Sequence, residues 1–339
     1  MSTQRVAAEQ VVPHFAGGGR IQTTVKPVPE PGPGQLLLRV EANALCGSER
    51  GQFHSGSAVT PGHEAAGTVA AAGPRTRTPV GTRGAVYLMD FCGECRSCRL
   101  GFTNQCLARR ADMGFNRDGG YGVYELVSES IFFPVPPDVS ATEATLLLDI
   151  MGTGGHALAR AALVRPDIES LLVTGAGPIG LGVLAMAKLL HGADFPVYVS
   201  DVTDYRLDLA ASLGGTPLKA DAPLPPDLRV DVAVDTAGRE AARRAALSAL
   251  GQRGVLVLVG HGETLGLNVS GDLIAPERAV LGSEYFAFAE MPGNLALLRT
   301  GESRDYLNRI VTHRFPVADI QNAFELFFSG ATGKVVIEQ

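Results

Sequence analysis

Hydrophobic and polar residues follow two different patterns along the chain. An apolar run at Leu36–Val40 follows the Pro- and Gly-rich stretch 26–34, and residues 41–137 contain short apolar segments separated by Gly and Pro. This first pattern predicts β-strands joined by long loops. Ser140 and Glu143 form a capping-box pattern ahead of another apolar run, which predicts the start of a helix.

From about residue 170, β-branched runs alternate with helical stretches. The predicted strands are Leu171–Thr174, Val197–Ser200, Val230–Asp235 and Val255–Val259. The predicted helices between them are Pro178–Leu190, Asp204–Leu213 and Arg239–Leu250. Such alternation is typical of a doubly wound parallel sheet with helices on both faces. A further helix is predicted after about residue 290, and β character returns at Lys334–Ile337. The chain is therefore predicted to be an α/β protein.

Length and charge limit the classes of function. A chain of 339 residues favours two domains, and a net charge of −6 argues against a general nucleic-acid binder. The first ten residues lack the apolar segment of a secretory signal. The long apolar run 171–190 contains four Gly, Pro178 and Lys188, and a strand followed by a helix explains it better than a membrane span does. We therefore expect a cytoplasmic protein that binds neither nucleic acid nor membranes.

A glycine motif lies at the first predicted strand–helix junction. Gly175-Ala-Gly177-Pro-Ile-Gly180 follows a strand and opens a helix, and Asp201 ends the next strand 21 residues after Gly180. This arrangement predicts a dinucleotide-binding loop. A 2′-phosphate would face the carboxylate of Asp201, with Asp204 nearby in sequence. Two unit charges at 4 Å repel by about 4 kcal/mol at an effective dielectric of 20. NAD is therefore favoured over NADP.

Five cysteines divide into a cluster and a single residue. In the cytoplasm thiols stay reduced, so cysteines suggest metal binding or catalysis before disulfides. The cluster is Cys92-x-x-Cys95-x-x-Cys98-x7-Cys106, which suits a structural tetrahedral zinc. An iron–sulfur cluster is the alternative, but a bacterial ferredoxin has three residues and not seven before the last Cys of such a run.

The fifth cysteine lies in the segment Cys46-Gly47-Ser48-Glu49, and Gly62-His63-Glu64 follows 17 residues later. Together with the four-cysteine lobe and the glycine motif, these segments resemble the zinc-dependent medium-chain dehydrogenase/reductase family of alcohol, polyol and threonine dehydrogenases. The resemblance extends from Pro27 to Ile337. It implies a GroES-like catalytic domain at 1–150 with a structural zinc lobe at about 90–108, a Rossmann NAD-binding domain at 151–288, and a C-terminal return at 289–339 that completes the catalytic domain.

The resemblance also implies a catalytic zinc held by Cys46, His63 and a third ligand. Asp149 stands at the matching position, and Glu64 is the other carboxylate candidate, as an occasional or exchanging ligand. Ser48 is expected to take the hydroxyl proton of the substrate, and Glu49 to orient His63. Gly51 stands where many members have a relay histidine, which leaves His54 as the nearest candidate.

The residues expected to bind the cofactor include the glycine motif and three residues that follow it in the chain. They are Gly175, Gly177, Pro178, Ile179, Gly180, Asp201, Arg206 and Val259. Aromatic residues that could line the substrate pocket are Phe53, Phe115, Tyr121, Tyr285 and Phe286.

The resemblance implies an enzyme with two zinc ions per chain that transfers hydride between NAD(H) and a secondary alcohol, polyol, sugar or amino alcohol. A biosynthetic ketone reductase of the same family and a non-catalytic homologue are the alternatives. A homodimer or homotetramer is implied by the resemblance alone.

Overall fold

The computed structural model describes residues 6–339. Residues 1–5 lie outside the described part of the chain. They are the start of the predicted domain 1–150 and of the ten residues that lack the apolar segment of a secretory signal.

The N-terminal part folds as β-strands joined by long loops, as its pattern predicts. Its strands are β1 (Glu9–Gly17), β2 (Arg20–Pro27), β3 (Gln35–Ala44), β4 (Ala65–Ala72), β5 (Arg83–Val86), β6 (Met89–Asp90), β7 (Ala111–Asp112), β8 (Tyr124–Ser128) and β9 (Phe132–Pro134). Its short helices are α1 (Arg50–Ser55), α2 (Arg96–Arg99) and α3 (Ala141–Leu146). The predicted capping box begins α3, because Ser140 Oγ accepts from the Glu143 amide and Glu143 Oε2 accepts from the Ser140 amide.

The middle of the chain forms the predicted alternation of strands and helices. Its helices are α4 (Gly154–Ala162), α5 (Pro178–His191), α6 (Asp204–Ser212) and α7 (Glu240–Ala249). Its strands are β10 (Leu171–Thr174), β11 (Val197–Asp201), β12 (Thr216–Lys219), β13 (Val230–Asp235), β14 (Leu250–Leu258) and β15 (Ala279–Gly282). All six strands are parallel, in the order β12-β11-β10-β13-β14-β15. The fold class predicted from the sequence is therefore confirmed.

The last part of the chain returns to the N-terminal sheet. It contains α8 (Met291–Leu298), α9 (Gly301–Asn308), β16 (Val311–Pro316), α10 (Ile320–Ser329) and β17 (Lys334–Glu338). Strand β17 lies between β16 and β3 in a seven-stranded sheet of order β16-β17-β3-β4-β5-β9, in which β8 also pairs with β3. Residues far apart in the chain thus become neighbours in one sheet.

A close contact between two helical segments brings the two sheets together. The residues Asp149–Thr153 form a π-helical turn ahead of α4, and this turn packs against α5. A Cβ atom on Gly182 of α5 would lie 2.4 Å from the carbonyl oxygen of Ile150, and one on Gly154 would lie 2.7 Å from the carbonyl carbon of Gly182. Glycine at both positions therefore permits the approach that places Asp149 beside the nucleotide-binding fold.

Apolar packing is continuous across this contact. The largest buried cluster contains residues of the N-terminal sheet such as Leu36, residues of the π-helical region such as Ile150, and residues of β10 such as Leu171. Within residues 6–339 we find no helix with the length and apolar character that a membrane span requires.

Candidate active site

Four potential metal ligands from three parts of the chain converge in the fold. Cys46 follows β3, His63 and Glu64 precede β4, and Asp149 begins the π-helical turn. One donor atom of each residue lies within 4.8 Å of a donor atom of every other, and all four side chains are buried. The three ligands that the sequence resemblance implied, and the fourth candidate, thus lie together.

A hydrogen-bonded chain fixes the orientation of His63. Its Nδ1 lies 3.0 Å from Glu49 Oε1, and its Nε2 lies 3.9 Å from Asp149 Oδ2. Tyr121 donates its hydroxyl to Glu49 Oε2 at 2.7 Å. Glu49 therefore contacts Nδ1 of the ring, while Nε2 faces Asp149. The contribution of Tyr121 was missed, because its spacing from Glu49 in the sequence carries no signal.

The donor set fits a divalent cation. Burial and the nearby charge of Asp149 raise the pKa of the Cys46 thiol. Burial and Asp149 also raise the pKa of Glu64 well above its usual range. Glu64 Oε2 is buried and has no hydrogen-bond partner among residues 6–339. Thiolate, imidazole and carboxylate are ligands that zinc prefers, and such an ion would compensate these crowded acidic groups.

A buried lysine completes the surroundings of Glu64. Lys334 Nζ donates to Glu64 Oε1 at 2.5 Å, and both side chains are 0% exposed. Lys334 belongs to β17, which the sheet topology places beside β3. Sequence reasoning missed this contact, since a lysine at the start of an apolar strand usually reaches solvent.

The four-cysteine lobe forms a second potential metal site. The sulfur atoms of Cys92, Cys95, Cys98 and Cys106 lie within 4.8 Å of one another, and all four are free thiols. Backbone N–H groups of Cys98 and Leu107 donate to Cys95 Sγ at 3.5 and 3.4 Å, and these hydrogen bonds lower the pKa of Cys95 to about 6. Four converging sulfur atoms stabilised by backbone donors fit a closed tetrahedral zinc site.

The glycine motif has the geometry of a phosphate-binding loop. Gly175 has a φ of +92°, and Gly177 is the N-cap of α5. A Cβ on Gly180 would lie 1.8 Å from the Gly175 carbonyl oxygen, whereas one on Gly177 would meet only Arg206, at 3.9 Å. Thr236, which the sequence analysis did not single out, donates its hydroxyl to the Gly175 carbonyl at 2.9 Å. The N-terminus of α5 is thus open to an anion.

Asp201 braces this loop from the end of β11. Its Oδ2 accepts the Ala176 amide at 2.7 Å, and its Oδ1 accepts the Thr203 amide and hydroxyl at 2.9 and 2.6 Å. The carboxylate therefore lies beside the loop, where the ribose of a bound dinucleotide is expected.

A cleft of about 840 Å³ joins the metal-ligand cluster to the glycine loop. Residues expected in the site that line this cleft are Cys46, Ser48, His63, Asp149, Gly177, Pro178, Ile179, Arg206 and Val259. Glu49 and Glu64 are fully buried behind the ligands. Of the candidate aromatic walls, Phe115 and Tyr285 line the cleft. Phe53, Tyr121 and Phe286 instead pack into the apolar core.

The structure does not bring His54 into the cleft. His54 lies in the last turn of α1, is exposed, and stacks on Phe328 at a ring-centroid distance of 6.2 Å. His54 is not among the residues that line the cleft, although its stacking partner Phe328 is.

A loop after β15 forms one wall of the cleft and is held by the cysteine lobe. Asn104 Nδ2 donates to the Glu284 carbonyl at 2.7 Å, and the Phe288 amide donates to Thr103 Oγ1 at 2.8 Å. Tyr285, between these two anchors, has a φ of +48°, which is unusual for a residue with a bulky side chain. The lobe therefore fixes a strained segment beside the potential metal ligands.

Two family models match successive parts of the chain. A model of the alcohol dehydrogenase GroES-like domain matches residues 32–137, and a model of the glucose dehydrogenase C-terminus matches residues 154–338. An L-threonine 3-dehydrogenase of Rhizobium etli (strain CIAT 652) is 30% identical over 335 residues, covering 92% of this chain and 93% of the relative.

Solved structures show the same fold along nearly the whole chain. A protein described as a short chain alcohol dehydrogenase (rspB) from Escherichia coli CFT073, in complex with NADH, superposes with a TM-score of 0.86 at 21% identity. The match covers 98% of this chain and 100% of that chain. A protein described as a zinc-binding dehydrogenase from Sinorhizobium meliloti 1021, bound to NADP, gives a TM-score of 0.83 at 25% identity, with coverages of 98% and 100%.

Proposed function

The chain belongs to the zinc-dependent medium-chain dehydrogenase/reductase family, and on that premise we propose that it interconverts a secondary alcohol, polyol, sugar or amino alcohol and the corresponding ketone with NAD(H). The observation that carries this proposal is the single cleft that contains both a zinc-type ligand cluster and the open N-terminus of α5. Chemistry between a metal-polarised oxygen and a nicotinamide requires both in one cavity.

Cys46, His63 and Asp149 would hold the catalytic zinc, with Glu64 beside them. When bound there, zinc would act as a Lewis acid toward the substrate oxygen. Thr153 Oγ1 donates to Asp149 Oδ1 at 3.3 Å and helps to orient this ligand. Two anionic ligands leave the centre nearly neutral, which suits an open position for an uncharged alcohol.

Proton transfer falls to Ser48 in this proposal. Ser48 lines the cleft two residues after Cys46, so Ser48 Oγ would accept the hydroxyl proton of the alcohol while it releases its own hydroxyl proton to water in the cleft. From Ser48 the proton would pass outward along the cleft. Since His54 lies outside the cleft, the proposed route to solvent needs no histidine.

The dinucleotide would lie along the ends of the parallel strands. Its pyrophosphate would accept hydrogen bonds at the N-terminus of α5, near Gly177 and Arg206. The ribose hydroxyls would donate to Asp201, and the same carboxylate would repel a 2′-phosphate. We therefore propose NAD as the preferred cofactor, although one structural neighbour binds NADP.

We also propose that the protein is a homo-oligomer. Strand β15 forms one end of the parallel sheet and is half-buried, with a sequence of Ala, Val, Leu and Gly. Nearby, Val269 and Ile274 expose 55% and 67% of their surfaces. An apolar edge strand of this kind favours covering by a second copy. Size-exclusion chromatography with light scattering tests this proposal, and a monomer would contradict it.

Metal content and turnover test the proposed chemistry together. Elemental analysis of the purified protein is expected to give two zinc ions per chain, and Asp149→Asn and Cys95→Ser are expected to retain one each. Asp149→Asn should also lose turnover of alcohols with NAD at 340 nm while still binding NADH. Asp167→Asn, an exposed carboxylate, is the matched control. Wild-type zinc content and rate in Asp149→Asn would show that Asp149 is not a ligand.

A further inference from the structure

A second cavity opens from the cleft on the side of the cysteine lobe. It has a volume of about 790 Å³ and lies between the lobe, α4 and the segments that follow β14 and β15. Residues that line both spaces are Arg109, Val259, Gly260, His261, Gly262, Ser283 and Glu284. The cavity, which we call the side chamber, is therefore continuous with the cleft.

The strand order assigns the side chamber to the substrate and not to the cofactor. Asp201 and the glycine loop follow β11 and β10, whereas the chamber lies beyond the ends of β14 and β15. A dinucleotide that starts with its adenosine at β11 crosses the sheet toward β13 and β14. The chamber thus lies past the nicotinamide end.

Among residues 6–339, one arginine of the chamber wall has no ion-pair or hydrogen-bond partner. Arg243 donates to Asp235 at 3.0 Å, and Arg109 donates to Asp112 at 2.7 Å, so both guanidinium groups are compensated. Arg160 lines the same wall, and among residues 6–339 it has no ion pair or hydrogen bond, while its Nε is buried. One partly buried positive charge therefore lacks a counter-ion.

Each of the two histidines of the chamber wall lies beside a carboxylate. His156, one turn before Arg160 on α4, lies 2.7 Å from Glu290 through Nδ1, and His261 lies 3.4 Å from Glu284. These carboxylates face the imidazoles, so they do not satisfy Arg160. A guanidinium group matches the planar geometry of a carboxylate and the oxygen atoms of a phosphate.

We propose that the substrate carries an anionic group, a carboxylate or a phosphate, and that Arg160 binds this group in the side chamber while the carbinol lies at the metal-ligand cluster. This inference rests on the proposed dehydrogenase function and narrows its substrates to hydroxy acids or phosphorylated polyols. Arg160 is then a specificity residue remote from the reacting carbon, and its interaction contributes chiefly to binding.

The first test compares matched substrates. Wild-type holoenzyme is assayed with NAD on five- and six-carbon aldonates, on alditol phosphates, and on neutral alditols of the same configuration. We expect higher kcat/KM on an anionic member, and Arg160→Gln should lower it by about 10- to 100-fold through KM, the size of a charged hydrogen bond. Neutral alditols should be unaffected. Arg96→Gln removes an exposed lobe charge outside the chamber and is the control.

The second test does not need turnover. NADH-saturated protein is titrated with inorganic phosphate and with acetate while its unfolding temperature is followed. We expect stabilisation by one of the two anions in the wild type and in the control, and its loss in Arg160→Gln. The responding anion distinguishes a phosphate from a carboxylate substrate. Stabilisation by an anion that is lost in Arg160→Gln, together with no turnover of any substrate of the first test, would support the anion site and contradict the proposed function.

Three results would overturn the proposal. One is equal loss of activity on neutral and anionic substrates in Arg160→Gln. Another is a wild-type enzyme that neither prefers anionic substrates nor responds to phosphate or acetate. The third is a change of oligomeric state in Arg160→Gln with unchanged substrate preference, which would assign this guanidinium to a subunit contact.

Discussion

Removing the buried ammonium group of Lys334 should destabilise the protein strongly. In Lys334→Met, Glu64 keeps a buried carboxylate without its partner at 2.5 Å. At this separation the attraction is about 7 kcal/mol at an effective dielectric of 20. Desolvation of both groups offsets part of it, and breaking such pairs typically costs about 3–5 kcal/mol. We therefore expect the free energy of unfolding to fall by about 3–5 kcal/mol.

Urea unfolding in excess EDTA measures this loss without a contribution from metal binding. The matched control is Arg314→Met, which breaks an ion pair with Glu338 at 2.7 Å that joins β16 and β17 but is 49% and 43% exposed. That change should cost less than about 1 kcal/mol. The double variant Lys334→Met with Glu64→Gln should regain most of the loss. A single variant within about 1 kcal/mol of wild type, or a double variant no more stable than the single, would refute the reasoning.

Three further predictions concern the nucleotide fold and a buried acid. Asp201→Ser should lower kcat/KM for NAD at least about tenfold and raise the NADP-to-NAD ratio, whereas Asp204→Ser, 80% exposed, should change neither. Gly180→Ala should lower the unfolding temperature, since its Cβ would meet the loop carbonyl at 1.8 Å, whereas Gly177→Ala should fold normally and weaken NADH binding by fluorescence titration. Burial and the nearby Asp118 raise the pKa of Glu125 well above its usual range, so folded Glu125 disfavours ionisation and wild-type stability should fall as pH rises above about 4.5. Glu125→Gln should be more stable at pH 7, and equal pH profiles in urea unfolding would contradict the assignment.

The parallel sheet could be predicted well because its signals are local. Strands β10 and β13 agree with the predicted ranges, and α5 extends the predicted helix by one residue to His191. The short strands β12 and β15 were not predicted. Each has four residues, and half-buried or exposed positions give little periodic signal.

The potential ligands could be proposed from motifs, but their surroundings could not. Glu64 and Lys334 are separated by 270 residues, and Glu49 and Tyr121 by 72. These contacts depend on which strands become neighbours, and hydrophobic pattern does not determine strand order. The aromatic residues illustrate the same limit, because Tyr121 and Tyr285 have similar chemistry while only Tyr285 lines the cleft.

The position of β17 has a consequence for biosynthesis. The ribosome makes Glu64 before the whole nucleotide-binding fold, and makes Lys334 270 residues later. At about 5–20 residues per second this interval is roughly 15–55 s. During it, the edge of β3 that β17 will cover is unpaired and the carboxylate of Glu64 has no lysine beside it. The nascent chain therefore cannot assemble this centre as it emerges. The sheet that contains β3 is completed after the parallel sheet, and in the interval the open edge of β3 is exposed to pairing with other chains.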